Sequence, residues 1–116
     1  MTTLQSLTQR IIAFRDERDW KQFHNPKDLA ISLSLEAGEV MEHFQWKTVD
    51  EVKEYARTHK DDIGEELVDV LYWVLLLSHD LQIDLGTAFE KKMNKNKNKY
   101  PVSKSKGKAT KYTKLQ

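Results

Sequence analysis

Two acidic pairs at helical spacing are the residues best suited to chemistry in this chain. They are Glu36-Ala37-Gly38-Glu39 and, after 26 intervening residues, Glu66-Leu67-Val68-Asp69. An i, i+3 spacing sets both side chains of a pair on one side of a helix. Each pair interrupts an apolar run, where a carboxylate is costly unless something compensates it. Four oxygen donors, two from each of two packed helices, suit a hard divalent cation such as Mg²⁺. A cation held in this way can bridge phosphate oxygens and neutralise charge that develops during displacement.

Helical projection at about 100° per residue extends both arcs. Ser32, Glu36, Glu39 and His43 fall together, beside a stripe of Leu29, Leu33 and Val40. Asp62, Glu66, Asp69, Trp73 and Asp80 form the second arc, beside a stripe of Ile63, Leu67, Val70, Val74, Leu77 and Leu81. Packing the stripes antiparallel lets the acidic arcs meet, and carboxylates at close range raise one another's pKa values. Glu42 and Glu65 project elsewhere. Trp73 lies one turn beyond Asp69, which sets an aromatic surface beside the expected cation, and Trp20, Phe23 and Trp46 flank the second helix. A planar base can stack on such rings. Lys92, Asn96 and Lys99, at steps of four and three, supply two cations and an amide for a polyphosphate.

The elements that must position these groups read as helices throughout. A first helix is expected over about residues 3–19. Asn25 caps a second, with Pro26 at its first position, running to Trp46. Thr48 and Glu51 form a capping box for a short helix to Arg57. A third main helix covers about residues 62–81, and Asp84 caps a fourth whose apolar pattern fails after Asn94, before Tyr100-Pro101. The expected fold is an all-α four-helix bundle over residues 1–101. The third helix also carries Leu71, Trp73, Leu75 and Leu76 off its stripe, so a second copy of the chain is expected to cover it. Residues 102–116 are lysine-rich and weakly patterned, and are expected to lack fixed structure.

Composition narrows the function classes. The 116 residues fit one domain and contain no cysteine, which excludes disulfides, thiolate zinc sites and cysteine nucleophiles. With no long apolar stretch and no secretory pattern at the N-terminus, a cytoplasmic protein without a membrane span is expected. The net charge of +1 conceals an asymmetry: residues 1–90 hold all 18 acids and 9 basic residues, while residues 91–116 hold 10 lysines and no acid. That end either solvates the chain or returns to phosphates. Glycine-rich phosphate loops and Glu-x-x-His pairs are missing, and His79-Asp80 stands alone as a dipeptide. His24, His43 and His59 each read equally as surface or capping residues. A helical interaction module, or a nucleic-acid binder using the lysines, is the rival reading; neither needs two carboxylate pairs beside an aromatic ring.

The segment from Glu36 to Trp46, together with Glu66-Leu67-Val68-Asp69-Val70, resembles the MazG-like all-α nucleotide pyrophosphohydrolases, and within them the dCTP pyrophosphatase branch. The segments from Arg18 to Pro26 and from Lys92 to Pro101 match as well, so the resemblance covers about residues 5–101. It implies hydrolysis of a nucleoside triphosphate to the monophosphate and pyrophosphate. It implies Mg²⁺ on Glu36, Glu39, Glu66 and Asp69, and a base pocket involving Trp20, Trp46 and Trp73. It places His24, Lys92, Asn96 and Lys99 near the substrate, and it implies a homotetramer with sites between subunits. Lys97 and Lys99 stand where some relatives have arginine, which removes the fork for bidentate phosphate contacts.

Overall fold

Helices α1, α2, α3 and α5 start where a short polar side chain satisfies a free backbone N–H. In the computed structural model, which describes residues 1–115, Thr3 and Ser6 cap one another reciprocally and open α1, Leu4–Glu17. Asn25 accepts from the Asp28 backbone N–H and opens α2, Pro26–Glu42, with the proline at a position that needs no donor. Thr48 and Glu51 form the capping box of α3, Val49–Thr58. His59 alone separates α3 from α4, Lys60–Asp80, so the expected gap between Arg57 and residue 62 contracts to one residue. A 3₁₀ turn, Lys21–Phe23, joins α1 to the start of α2. No strand occurs among the described residues.

Helices α1 to α4 belong to a first compact unit, Met1–Gln82. Its centre is α4, which packs most extensively on α2 and also contacts α1 and α3. Leu29, Leu75 and Leu76 are its fully buried aliphatic side chains. The expected stripe on α4 is therefore displaced: Leu67 and Leu81 are exposed, while Leu75 and Leu76 from the neighbouring arc fill the core. The cause is the circumference of α4, which is apolar nearly all round. Packing against α1 and α2 selects one side and leaves Leu67, Val68 and Leu71 outward.

A buried ion pair ties α1 to the end of α4. Arg15 is 1% exposed and donates from both terminal nitrogens to the two oxygens of Asp80, at 2.8 and 2.9 Å. The pair is bidentate, the arrangement in which a buried guanidinium is best compensated.

The second compact unit is Ile83–Gln116, of which residues 83–115 are described. Asp84 caps α5, Leu85–Lys99, by accepting from the Thr87 N–H. The helix continues past Asn94, where its apolar pattern stops, because lysine is a good helix former and cations in the last turn favour the negative end of the helix dipole. The segment expected to lack structure carries a single-turn helix α6, Val102–Ser105, and a 3₁₀ turn, Tyr112–Lys114. Tyr112 anchors it: the Lys99 ammonium lies 4.7 Å from its ring centre, and Tyr100 meets it edge-on at 6.1 Å. Short α3 contacts α4 in the first unit, while α5 belongs to the second unit. Among the described residues, no helix is long and apolar enough to cross a membrane.

Candidate active site

Packing of α2 on α4 brings the two acidic pairs together. One oxygen from each of Glu36, Glu39 and Glu66 lies within 4.8 Å of the others. Asp69 stands outside this tight group, yet its charge acts on both Glu36 and Glu66. Glu39 contacts both of its neighbours. Burial, then contact with Glu39, pushes the Glu36 carboxyl up to about 7. Contact with Glu39, followed by burial, raises Glu66 also, against the opposing effect of His43. His43 is itself held in hydrogen-bonding contact with the Tyr55 hydroxyl at 2.6 Å, so α3 acts as a brace behind the acids.

Two of these carboxylate oxygens, Glu36 Oε2 and Glu66 Oε2, are buried with no hydrogen-bond partner among the described residues. Uncompensated carboxylate oxygens are costly, and the donor set is all oxygen. Both facts fit a hard divalent cation held by Glu36, Glu39 and Glu66, with Asp69 adjacent.

Without a cation, the native state keeps protons on Glu36 and Glu66 that the unfolded chain has released above its ordinary value of 4.5. Native protein then binds more protons than unfolded protein, so stability falls as pH rises from about 4.5 through about 7. Melting temperature in chelator is expected to decline across that window. Adding a divalent cation at pH 8 is expected to restore it, by about 2.7 kcal/mol at one hundred times the dissociation constant. Binding near neutral pH should release protons, measurable in weak buffer. A melting temperature that climbs across the window would eliminate shared protonation of the cluster.

Beside the acids lies a cavity of about 630 Å³, within the range of small-molecule sites. Glu36 and Asp69 form one part of its wall, and Phe14, Trp20, Tyr72 and Trp73 form an aromatic part. The rings meet edge to face: Phe14 with Trp20 at 5.7 Å, Phe14 with Tyr72 at 6.4 Å, and Tyr72 with Trp73 at 4.9 Å. Arg10 adds a cation to the lining. The Arg18 guanidinium covers Phe14 at 3.7 Å from the ring centre.

The expected site residues divide by position. Glu36, Asp69, Trp20 and Trp73 share the cavity wall, and His24 packs edge-on against Trp73 at 5.7 Å. Trp46 is not brought to this cavity. Helix α2 ends at Glu42, and Trp46 follows in a turn, 92% exposed and in the left-handed backbone region with φ 67°. Lys92, Asn96 and Lys99 all lie on α5, in the other unit. Sequence reasoning missed Phe14 and Tyr72 as cavity residues, along with Arg10 and the buried Arg15. Phe14 falls on the apolar stripe of α1, and Tyr72 carries no mark of its own in the sequence. The usable signal was their place on the α1 and α4 faces that flank Trp20 and Trp73.

The chain is similar to known proteins in sequence and fold. The sequence pattern of the MazG-like family matches residues 31–115. The dCTP pyrophosphatase 1 of Mus musculus is 41% identical over 115 residues, covering 97% of this chain and 68% of that protein. The Homo sapiens protein of the same name is 36% identical over the same coverage. A crystal structure of a pyrophosphatase from Archaeoglobus fulgidus DSM 4304 superimposes with a TM-score of 0.81 at 38% identity, covering 87% of this chain and 94% of that one.

Proposed function

Because the chain belongs to the MazG-like family, in its dCTP pyrophosphatase-like branch, and is a nucleotide pyrophosphohydrolase, we propose that its substrate is dCTP or a closely related deoxynucleoside triphosphate and its cation Mg²⁺. The products are the nucleoside monophosphate and pyrophosphate, and the role is control or sanitation of the nucleotide pool. The observation that carries this reading is the adjacency of two features: a carboxylate cluster with two orphaned oxygens, and an aromatic cavity that shares Glu36 and Asp69 with it.

On this reading Glu36, Glu39, Glu66 and Asp69 hold the cation, which supplies positive charge against the phosphate oxygens when bound. One of these acids, or a neighbour, orients the attacking water. The base stacks among Trp20, Trp73, Phe14 and Tyr72. Lys92, Asn96 and Lys99 are assigned to the phosphates, where cations stabilise the departing pyrophosphate, and Trp46 to the base, both through the family resemblance. The exposed apolar residues Leu67, Val68 and Leu71 on α4, with Ile31 and Leu35 on α2, favour a second copy of the chain that covers them, and the family resemblance makes the assembly a homotetramer. The rival nucleic-acid reading has no comparable support: it needs neither the acids nor the cavity.

The test is pyrophosphate release from a panel of deoxynucleoside and ribonucleoside triphosphates, with and without Mg²⁺. Preference for dCTP and loss of turnover in chelator are expected. Equal turnover of all bases would remove the base assignment, and turnover in chelator would remove the cation. Trp73→Ala is expected to raise KM for dCTP by about tenfold, because stacking contributes roughly 1–3 kcal/mol per base. An unchanged KM would exclude Trp73 from the base pocket.

A further inference from the structure

Arg15 makes a third contact beyond its pair with Asp80. Its Nη1 lies 3.4 Å from Nδ1 of His24. A guanidinium has donors only and stays protonated, so Nδ1 of His24 must be the acceptor in this contact. The ring proton of neutral His24 is thereby assigned to Nε2, which makes no hydrogen bond among the described residues. The same ring packs edge-on against Trp73, whose other surroundings are the cavity, Asp69 and Tyr72.

We propose that Arg15 and Asp80 are positioning residues that fix His24 as its Nε2–H tautomer, so that this N–H donates to an acceptor atom of the bound nucleotide. The inference rests on the nucleotide reading of the cavity. Asp80 holds the fork of Arg15 by both terminal nitrogens, which fixes the direction in which Nη1 faces the imidazole. Charge on the imidazole is disfavoured first by burial and next by Arg15 from α1; Asp80 from α4 opposes them. Lys21 in the 3₁₀ turn and His79 on α4 act on Asp80 one step further out. A neutral donor is useful here: it binds an acceptor without adding a proton that neighbouring carboxylates would take up.

The test uses the full chain with Mg²⁺ and dCTP, together with ¹⁵N NMR of the His24 ring. In the wild type, Nδ1 is expected to show the unprotonated signature from pH 6 to 8. In the double variant R15M/D80L, which replaces a buried pair by apolar groups of similar size and is expected to stay folded, His24 should exchange between tautomers and titrate in the ordinary range. KM for dCTP should rise about tenfold at pH 8, as for loss of one hydrogen bond of ordinary strength, and by less at pH 6, where a protonated ring carries N–H on both nitrogens, with kcat within about twofold. H24Q, whose amide N–H needs no tautomer selection, should restore much of the KM in the R15M/D80L background. H24A should give the same KM in both backgrounds. An unchanged tautomer and KM in R15M/D80L would reduce the pair to a structural tie, and an unchanged KM in H24A would remove His24 from the nucleotide. Either result overturns the proposal while leaving dCTP hydrolysis intact. Failure of the wild type to turn over any nucleotide would strike the underlying reading instead, with the NMR signature still legible.

Discussion

Glu39→Gln is expected to lower dCTP turnover on the order of a thousandfold, about 4 kcal/mol in the barrier, while raising the melting temperature of the cation-free protein. The two effects have one cause. Glu39 is the acid that contacts both Glu36 and Glu66, and that contact raises the pKa of each. Glutamine keeps the shape and removes the charge. Repulsion in the cluster falls, so Glu36 and Glu66 ionise closer to their ordinary range and the decline of stability with pH flattens. The same removal takes an oxygen anion from a site whose donors are oxygen anions, and cation binding weakens. Opposite movement of stability and turnover separates loss of function from loss of fold. Turnover within tenfold of wild type would exclude Glu39 from the cation site. A lower melting temperature in chelator would exclude repulsion as the dominant force among these acids.

Asp80→Ala is expected to destabilise the protein by about 3–5 kcal/mol, because it leaves the Arg15 guanidinium buried without its partner. The urea midpoint should fall with little change in slope. The loss should also depend on pH in a defined sense. Arg15 holds the Asp80 carboxyl below its ordinary value of 3.8. The unfolded chain therefore takes up the proton first as pH falls, and the native state follows only at lower pH. The contribution of the pair is complete above the ordinary value and disappears as pH drops through the depressed one. Wild type and variant should converge in acid. A variant within 1 kcal/mol of wild type at neutral pH would show that Arg15 finds another partner or reaches water.

What could be read in the sequence was local and periodic. The i, i+3 acids, the Asn25-Pro26 start and the Thr48 capping box each carry their signal within four residues, and the helices begin where those signals sit. The meeting of Glu36 and Glu39 with Glu66 was legible because each pair borders an apolar face, and packing the faces aligns the borders. The Arg15–Asp80 tie had no local mark, since nothing near Arg15 in the chain indicates a partner 65 residues away. Tyr72 and Phe14 were hidden because a helical face does not distinguish a core ring from a cavity ring. On α4, continuous apolarity concealed which side would be inside, so Leu67 and Leu81 were expected where Leu75 and Leu76 are found. Past Asn94 the apolar stripe ends although the helix does not, since lysine propensity and the backbone ladder continue it.

On the proposed reading, helix α4 would also work as a ruler. Glu66 and Trp73 sit on one unbroken helix, two turns apart, an axial rise of about 10 Å that neither side-chain motion nor loop movement can alter. A ligand that reaches from the acids to the aromatic wall is therefore measured from its base to the first phosphate in contact with the acids. Any phosphate beyond that point extends off the end of the scale. This helix can reject a nucleoside of the wrong span, but mono-, di- and triphosphates of one base give it the same reading. On the proposed reading, counting the phosphates would fall to residues elsewhere in the chain.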